Sequence, residues 1–339
     1  MIFFIGWFNK DNLEKYLVDH KNSNLLIFYI TEEAFIKELN LYDCNFIFIK
    51  LNSFLVNGKF IKDGFLVYET ELKLSKYYFN ADSDLILGYL KNSNTLFKNC
   101  LIISNIIKND EGNDLIFFLS NIFGKSNNFI GIDFEFMNNN AIYYKGNFYK
   151  SFFLIFESEE NINFLKTDEF WEDYLGPYII TDAFDGGFKN ISWQNPVNFY
   201  LSNIPSLSYE SIEKAIKYFP LKVLSLKENY SIVKLRVDFT KSLDSFFNDI
   251  SIFSYQYAFI EKCNIHVLFN KIKKIKKINY FHFFVLSGDL AFIISDFLKY
   301  NIKVAKNLSI RNFTAITSNL IVLPTSSTPL LTTDCILAI

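Results

Sequence analysis

The sequence predicts an α/β protein with mainly parallel sheets, helices on both faces of those sheets, and a small N-terminal α+β unit. Short continuous runs of β-branched and aromatic residues are typical of strands that are buried on both faces. From about residue 80 onward, such runs alternate with amphipathic helical patterns at the spacing of β-α-β units. The length of 339 residues exceeds one ordinary domain and leaves room for two compact units.

The first part of the chain predicts a small unit in which strands and helices are mixed. Strands are predicted at residues 1–7, 24–29, 46–60 and 64–68, and helices at residues 10–20 and 32–41. Asn57 and Gly58 are a turn signal within the third of these strand regions. No proline- or serine-rich linker follows, so the division into residues 1–80 and residues 81–339 is weakly marked.

Residues 81–339 predict the alternating pattern. The predicted strands are residues 100–104, 129–136, 221–226, 281–286 and 302–308, and the predicted helices are residues 82–92, 110–123, 209–218 and 289–300. A further apolar strand, within residues 313–323, is expected to end at Pro324 because proline cannot continue a hydrogen-bonded ladder. Open α/β sheets place their sites at such strand ends, so this strand end is the first place to look for one.

Composition and charge limit the function. A net charge of −2 and a pI near 6.0 give no global electrostatic reason to bind nucleic acid or an anionic membrane. The 40 Phe and 20 Tyr, beside only Arg236 and Arg311, indicate an AT-rich genome in which Phe fills core positions. The start lacks the basic region of a signal peptide, and no window has about 18 uninterrupted apolar residues. We therefore expect a soluble chain that is made in the compartment where it works.

The residues that usually bind metals and cofactors form no complete motif. The cysteines are scattered and indicate a reducing compartment, without zinc or iron–sulfur spacing: Cys44, Cys100, Cys263 and Cys335. Cys263 and His266 lack a second ligand pair, so we interpret them as a buried thiol and an ordinary histidine. Glycine-rich nucleotide loops and a nucleophile elbow are absent from the sequence. We predict no catalytic, cofactor-binding or metal-binding residues, and no cofactor.

One carboxylate pattern leaves an enzymatic alternative open. Asp133 and Glu135 form the Asp-x-Glu of a two-metal 3′–5′ exonuclease, in which carboxylates at a strand edge hold the metals. Such a site needs two further Asp, the last of them four residues after a Tyr or His. Asp182 follows Tyr178 at that spacing, and Asp185 is the other candidate for the second position. With Asp182 used in this way, the constellation is one carboxylate short.

Two other motifs favour a structural interpretation. Residues 182–187 lack the alternating oxygen ligands and the closing Glu of a calcium loop, so Gly186 and Gly187 predict a tight turn. Five lysines lie within residues 271–277. They could form a phosphate-binding patch or a helix face that is exposed to solvent. In a chain with balanced charge, a solvated helix face is the favoured interpretation.

Several segments, taken in order, resemble the molybdopterin-oxidoreductase-like region in the large iron–sulfur subunit of respiratory complex I. In the first, Glu111 opens a helix that Gly124, Ser126 and Asn128 close. The second, residues 198–203 with 211–215, is similar to the family's Asn-rich loop and its Ile-Glu-x-Ala helix. The third, residues 221–237 with Arg236, lies where the family has a glycine loop and an Arg segment. The fourth, residues 313–324, occupies the place of the family's final Leu-Pro strand.

The resemblance covers about residues 80–339 and depends on the order of its motifs. The family's glycine loop is replaced by residues 224–229, and Asn319 and Leu320 stand where the family has Ala and Asp. The family's N-terminal half, with its cluster-binding cysteines, is absent. The resemblance implies a molybdopterin-oxidoreductase-like fold for residues 81–339. It also implies a non-catalytic, cofactor-free structural subunit of the matrix arm of NADH:ubiquinone oxidoreductase.

This interpretation implies partners and a location. The partners would be the other matrix-arm subunits of complex I, especially the chain that carries the iron–sulfur clusters, with no nucleic acid and no direct membrane span. The chain would lie on the matrix side of the mitochondrial inner membrane and be encoded by the organelle. Besides the exonuclease, a viral or bacterial structural protein stays open as an alternative, and it would associate with itself.

Overall fold

The computed structural model describes the greater part of the chain. The described residues are 1–39, 44–92, 99–106, 129–134, 140–184, 187–205, 207, 212–224, 230–233, 235–237, 246–248, 254–277, 282–300, 313–318, 320–323, 330–332 and 335–339. They divide into two compact units. Unit 1 consists of Met1–Lys166, Lys273–Leu331 and Cys335–Ile339, and unit 2 consists of Thr167–Ile272 and Thr332–Asp334. The boundary expected near residue 80 lies inside unit 1.

Strands dominate the described residues. The helices are α1 (Lys10–Asp19), α2 (Glu33–Glu38), α3 (Ser83–Asn92), α4 (Pro196–Asn203), α5 (Ile212–Tyr218), α6 (Ile265–Lys277) and α7 (Gly288–Tyr300). The strands are β1 (Ile2–Phe8), β2 (Leu25–Tyr29), β3 (Phe46–Lys50), β4 (Phe54–Val56), β5 (Lys59–Ile61), β6 (Phe65–Thr70), β7 (Lys73–Phe79), β8 (Asn99–Ser104), β9 (Phe129–Asp133), β10 (Ile142–Tyr144), β11 (Asn147–Tyr149), β12 (Phe152–Ser158), β13 (Leu165–Thr167), β14 (Trp171–Phe184), β15 (Gly187–Ile191), β16 (Leu221–Leu224), β17 (Tyr230–Val233), β18 (Leu235–Val237), β19 (Phe246–Asn248), β20 (Tyr257–Cys263), β21 (Phe284–Ser287), β22 (Ala315–Ser318), β23 (Leu320–Leu323), β24 (Leu330–Thr332) and β25 (Ile336–Ala338).

Unit 1 contains three six-stranded sheets with the same internal order. Sheet 1 is β1-β6-β2-β3-β10-β11, sheet 2 is β7-β12-β8-β9-β23-β24, and sheet 3 is β13-β25-β21-β22-β4-β5. In each sheet the third and fourth strands run parallel. The pairs on either side of them are antiparallel. The α/β class is confirmed, whereas the prediction of mainly parallel sheets is wrong, because each sheet has a single parallel pair among its described pairings.

The three sheets arise from a threefold internal repeat. Repeat 1 comprises β1–β6, repeat 2 comprises β7–β12, and repeat 3 comprises β13 with β21–β25. Each sheet takes four strands from its own repeat and a hairpin from another repeat. The hairpin of repeat 2 joins sheet 1, that of repeat 3 joins sheet 2, and that of repeat 1 joins sheet 3. This cyclic exchange links all three repeats, so none of them forms a complete sheet alone.

The repeat is also visible in the sequence once the strands are aligned. Lys-Asn-Ser-Asn occurs at residues 21–24 and again at residues 91–94. The similar runs Glu-Thr-Glu and Glu-Ser-Glu span the ends of the return strands β6 and β12. The hairpin turns of repeats 1 and 2 have positive φ at both central residues, as type I′ turns require: Asn57 (56°), Gly58 (74°), Lys145 (45°) and Gly146 (85°). The turn predicted at Asn57 and Gly58 is confirmed.

The core of unit 1 lies where the inner faces of the three sheets meet. Because side chains alternate along a strand, Leu26 and Phe28 of β2 face this core, whereas Leu25 and Ile27 face outward. Residues from all three sheets form the central cluster, among them Tyr68, Leu154 and Val285. Helices α1 and α2 cover the outer face of sheet 1, and α3 covers that of sheet 2. In these two sheets helices cover one face, not both as predicted, because the other face packs against neighbouring sheets.

Unit 2 is built on a seven-stranded sheet with the order β17-β16-β20-β14-β15-β19-β18, in which the described pairs are antiparallel. Helices α4 and α5 pack on it through Val197, Tyr200 and Ile212. Within this unit the Asn264 amide donates to the Phe170 carbonyl at 2.7 Å, so the residues just before β14 and just after β20 are neighbours. The seven-stranded sheet of unit 2 is therefore an insertion in repeat 3 between β13 and α6.

The run of residues 313–323 departs from the prediction. It forms two strands, because β22 ends at Ser318 and β23 begins at Leu320. Strand β22 runs parallel to β21 in sheet 3, whereas β23 runs antiparallel to β9 in sheet 2. The chain thus passes from one sheet to another in the middle of the run. Pro324, the predicted helix at residues 110–123 and the predicted strand at residues 302–308 lie outside the described residues.

Candidate functional site

The two described carboxylates of the predicted exonuclease site, Asp133 and Asp182, belong to different units. Asp133 ends β9 in unit 1 and is 1% exposed, whereas Asp182 lies in β14 of unit 2. Glu135 and Asp185 lie outside the described residues. The exonuclease hypothesis therefore stays a prediction.

Asp133 lies at the carboxyl end of the parallel pair β8–β9, where α/β sheets often carry a site. Its neighbour in register on β8 is Ser104, whose hydroxyl donates to the Phe152 carbonyl at 3.2 Å and accepts from the Ile106 amide at 3.0 Å. On the other side of β9, Leu320 lies opposite Asp133. The buried carboxylate is thus set inside sheet 2, with a strand on each side.

The remaining predicted motifs occupy structural positions. Cys263 ends β20 and is buried, whereas His266 is exposed in the first turn of α6. The cysteines are all free and buried. Among the described residues, no group of three or more His, Cys, Asp or Glu is placed to hold a metal ion. No helix in the described part of the chain is long and apolar enough to cross a bilayer.

The lysine-rich segment forms the C-terminal half of α6. Its lysines are exposed or half-buried, whereas Ile272 and Ile275 on the same helix are buried. Lys271 forms an ion pair with Glu169. This arrangement agrees with a solvated helix face, which is the interpretation that the charge pattern favours.

Unit 2 contains a buried carboxylate that the sequence did not single out. Glu261 on β20 is 2% exposed, and the Lys222 ammonium lies 3.1 Å from its Oε1 and 2.9 Å from Oδ1 of Asp173. Burial raises the pKa of Glu261, although its hydrogen bond with Lys222 acts in the opposite direction. Burial lowers the pKa of Lys222, but Asp173 and Glu261 outweigh this effect and the net shift is upward.

The Glu261 cluster is a structural network that joins three strands. Lys222 of β16 contacts carboxylates on β20, which is its neighbour in the sheet, and on β14, which is the next strand beyond β20. Oε2 of Glu261 is buried and has no hydrogen-bond partner. A buried carboxylate with one unsatisfied oxygen costs free energy, and the ion pair offsets that cost only in part.

Three exposed aromatic residues of unit 2, which we call the aromatic patch, are attached to one stretch of β14. Trp193 and Tyr255 are each 80% exposed, and Tyr257 is 50% exposed. The Trp193 amide donates to Thr181 Oγ1 at 3.2 Å, and the Tyr255 amide donates to the Ile180 carbonyl at 2.6 Å. Tyr257 lies opposite Ile179 in the β14–β20 pair. The backbones of all three aromatic residues are therefore attached to residues 179–181 of β14.

The backbone at the aromatic patch adopts an uncommon conformation. The φ angles of Ser192, Trp193 and Tyr255 are 48°, 61° and 70°. Left-handed backbone at a bulky residue costs about 1–3 kcal/mol and persists only where the surroundings impose it. Here hydrogen bonds impose it, including one from the Ser192 amide to the Ile179 carbonyl at 2.7 Å. These exposed aromatic side chains are a candidate binding surface.

The segments that carry the patch are almost uncharged. Residues 178–182, 190–195 and 254–258 contain Asp182 but no Lys or Arg. Binding to a nucleic-acid backbone or an anionic membrane depends on cationic side chains. The composition of these segments instead suits an uncharged protein surface, in which Trp and Tyr act as anchors.

Comparisons with known proteins identify no relative of the chain. No family model, no curated protein and no solved structure matches it.

Proposed function

We propose that the chain is a non-catalytic structural subunit of a multiprotein assembly, specifically the matrix arm of respiratory complex I. There it would support the partner chain that carries the iron–sulfur clusters. The aromatic patch supports a role as a structural subunit, because Trp193 and Tyr255 are both four-fifths exposed. The order of the motifs in the sequence supports the assignment to complex I.

The energetics of the aromatic patch favour a stable interface. Side chains of this kind bury about 150–250 Å² each. At about 25 cal/mol per Å², two of them contribute on the order of 10 kcal/mol before the costs of association. The attachment of Trp193 and Tyr255 to β14 fixes their backbones in advance, which lowers the entropy lost on binding.

The segments that resemble the complex I subunit occur in both units. In unit 2 they correspond to α4, the start of α5, and β16, and in unit 1 to β22 and β23. The segment at residues 110–128 lies outside the described residues. The proposed mitochondrial location, organelle encoding and lack of a nucleic-acid partner follow from the same resemblance.

Isolation of the native chain tests the proposal. The chain would be tagged, released from membranes under conditions that preserve assemblies, and analysed together with its co-purifying proteins by mass spectrometry. We expect other matrix-arm subunits, including the chain with the iron–sulfur clusters. Recovery without any complex I subunit would contradict the proposal.

The same preparation separates the alternatives. Recovery only with further copies of this chain would support the structural protein of viral or bacterial type. Metal-dependent 3′–5′ nuclease activity that Asp133→Asn abolishes would support the exonuclease, because that mechanism requires the Asp133 carboxylate to hold a metal.

A further inference from the structure

Unit 1 contains a cavity of about 280 Å³ between repeats 1 and 2. Its apolar lining comes from both repeats and includes Leu26, Leu72 and Phe156. Two aromatic rings, those of Tyr77 and Tyr144, also line it, with centroids 5.5 Å apart and an interplanar angle of 64°. The volume is below the ~300–1,000 Å³ of pockets that hold drug-sized ligands, so it suits a side chain or a small molecule.

An acidic groove of about 770 Å³ adjoins this cavity, because Glu71 and Lys73 line both. Three further carboxylates line the groove: Glu157, Glu159 and Glu160. The cationic groups in its lining are Lys73 and the Met1 amino group, which lies 3.2 Å from Glu71. Lys73 lies opposite Glu157 in the β7–β12 pair. The carboxylates therefore exceed the cations, and the groove has a negative charge.

The internal repeat accounts for this concentration of charge. Strands β6 and β12 are equivalent return strands, and Glu71 and Glu159 are the first residues after them. Both residues line the same groove. The cavity beside the groove places apolar and aromatic side chains next to these carboxylates.

We propose that the cleft formed by the cavity and the groove binds an alkylammonium or alkylguanidinium group. The alkyl part would occupy the cavity, and the cation would lie toward the acidic groove. Tyr77, which lines the cavity, is 49% exposed, so its ring can pack against the alkyl part of a ligand. Long cationic side chains behave in this way at protein surfaces, where they bury an apolar stem and leave the charge near water. An anion would be repelled by the carboxylates, and a neutral ligand would leave their charge uncompensated.

Such a cation has two possible sources, a Lys or Arg side chain of a partner protein and a free amine such as a polyamine. The probes for the purified full chain are spermidine, butylguanidinium, and a short peptide with one Arg. The neutral references are butylurea and the same peptide with citrulline in place of Arg. Calorimetric titration at low salt gives the affinity for each probe.

We expect at least one cationic probe to bind and its neutral counterpart to bind about fivefold more weakly or not at all. Stronger binding of the Arg peptide would assign the site to a partner's side chain, and stronger binding of spermidine would assign it to a free amine. Glu159→Gln with Glu160→Gln should weaken binding of the cation by about fivefold. Asn45→Trp should abolish binding, because Asn45 is an exposed residue of the cavity lining.

The matched control is Glu14→Gln with Asp19→Asn, which removes two exposed carboxylates from α1 and leaves the groove intact. The control should bind the cations as the unmodified chain does. The proposal is overturned if no cationic probe binds. It is equally overturned if the control weakens binding as much as the groove variant, or if Asn45→Trp leaves binding unchanged.

Discussion

The Tyr29 hydroxyl donates a hydrogen bond to the backbone carbonyl of Asn140 at 3.0 Å. Tyr29 belongs to repeat 1, and Asn140 lies in repeat 2 shortly before its hairpin, so this bond joins the two repeats. Tyr68 in the same sheet is equally buried, but its hydroxyl has no hydrogen-bond partner. The Tyr68 ring lies in the central core against Phe28 and Phe283. Burial raises the pKa of both tyrosines, so both hydroxyls stay protonated.

The two tyrosines predict opposite effects of the same substitution. Tyr68→Phe removes a buried, unpaired hydroxyl and should stabilise the chain by about 1 kcal/mol. Tyr29→Phe leaves the Asn140 carbonyl without its donor and should destabilise it by about 1 kcal/mol. Urea unfolding of both variants measures the difference. Equal effects of the two substitutions would mean that the hydroxyl environments are not as described.

Gly64 and Gly88 form a second matched pair in unit 1. The φ of Gly64 is 85°, and a Cβ there would lie 2.7 Å from Trp7 Nε1 and 2.9 Å from the Phe8 carbonyl oxygen. Gly64→Ala should therefore destabilise the chain by about 1–3 kcal/mol. Gly88 lies in α3 with open space around it, so Gly88→Ala should stabilise by up to about 1 kcal/mol. Thermal unfolding compares them, and a Gly64→Ala variant as stable as the unmodified chain would contradict the strained turn.

The buried Glu261 predicts a dependence of stability on pH. Because the pKa of Glu261 is raised in the folded chain, the folded state binds this proton more tightly than the unfolded state. This contribution is complete below the ordinary pKa of 4.5 and is lost as the pH rises through the raised value. Each unit of the rise corresponds to about 1.4 kcal/mol.

Glu261→Gln tests this dependence because an amide does not titrate. Relative to the variant, the unmodified chain should lose stability as the pH rises from about 4 to about 8. Urea midpoints across this range measure the difference. A difference that does not change with pH would show that Glu261 has the same proton affinity in both states.

The insertion of unit 2 predicts that it can be removed. Phe170 and Asn264 are hydrogen-bonded neighbours just before β14 and just after β20, so a short Gly-Ser linker can join them. A chain without residues 171–263 should keep the three sheets of unit 1 and unfold cooperatively. Circular dichroism and thermal unfolding measure this. A variant without a cooperative transition would mean that the three repeats depend on unit 2 for folding.

The sequence predicted individual elements better than their assembly. Residues 25–29 have the apolar pattern of a strand buried on both faces, and β2 is such a strand. The same pattern fits a doubly wound sheet and a sheet with one face in a shared core, so periodicity did not separate them. Asp133 and Leu320 are paired through the exchange of a hairpin between repeats, and such non-local pairing has no local sequence signal. The repeated Lys-Asn-Ser-Asn was the signal that could have shown the repeat.

The aromatic patch was not predictable from composition. With 40 Phe and 20 Tyr in the chain, Trp193 and Tyr255 do not stand out as exposed residues. Their exposure depends on turns at positive φ, which hydrogen bonds to β14 hold in place. The cleft of unit 1 has the same kind of origin, because Glu71 and Glu159 reach one groove only through the arrangement of the repeats.

We propose that the aromatic patch holds this structural subunit in complex I, and a pair of variants tests it. The test variant carries Trp193→Ala and Tyr255→Ala. The control carries Val18→Ala and Leu85→Ala, which remove two apolar side chains of 59% and 52% exposure from α1 and α3. Trp193 and Tyr255 are exposed, so the test variant should remain folded, which circular dichroism would verify.

The most direct measurement is the fraction of each tagged chain that co-migrates with the complex I subunits in a native separation. We predict that the unmodified chain and the control co-migrate with them, and that at least about nine-tenths of the test variant is released, as expected when interface anchors worth 2 kcal/mol or more are lost. Migration of the unmodified chain as a free protein of 39.8 kDa, or retention of the test variant equal to that of the control, would contradict the account.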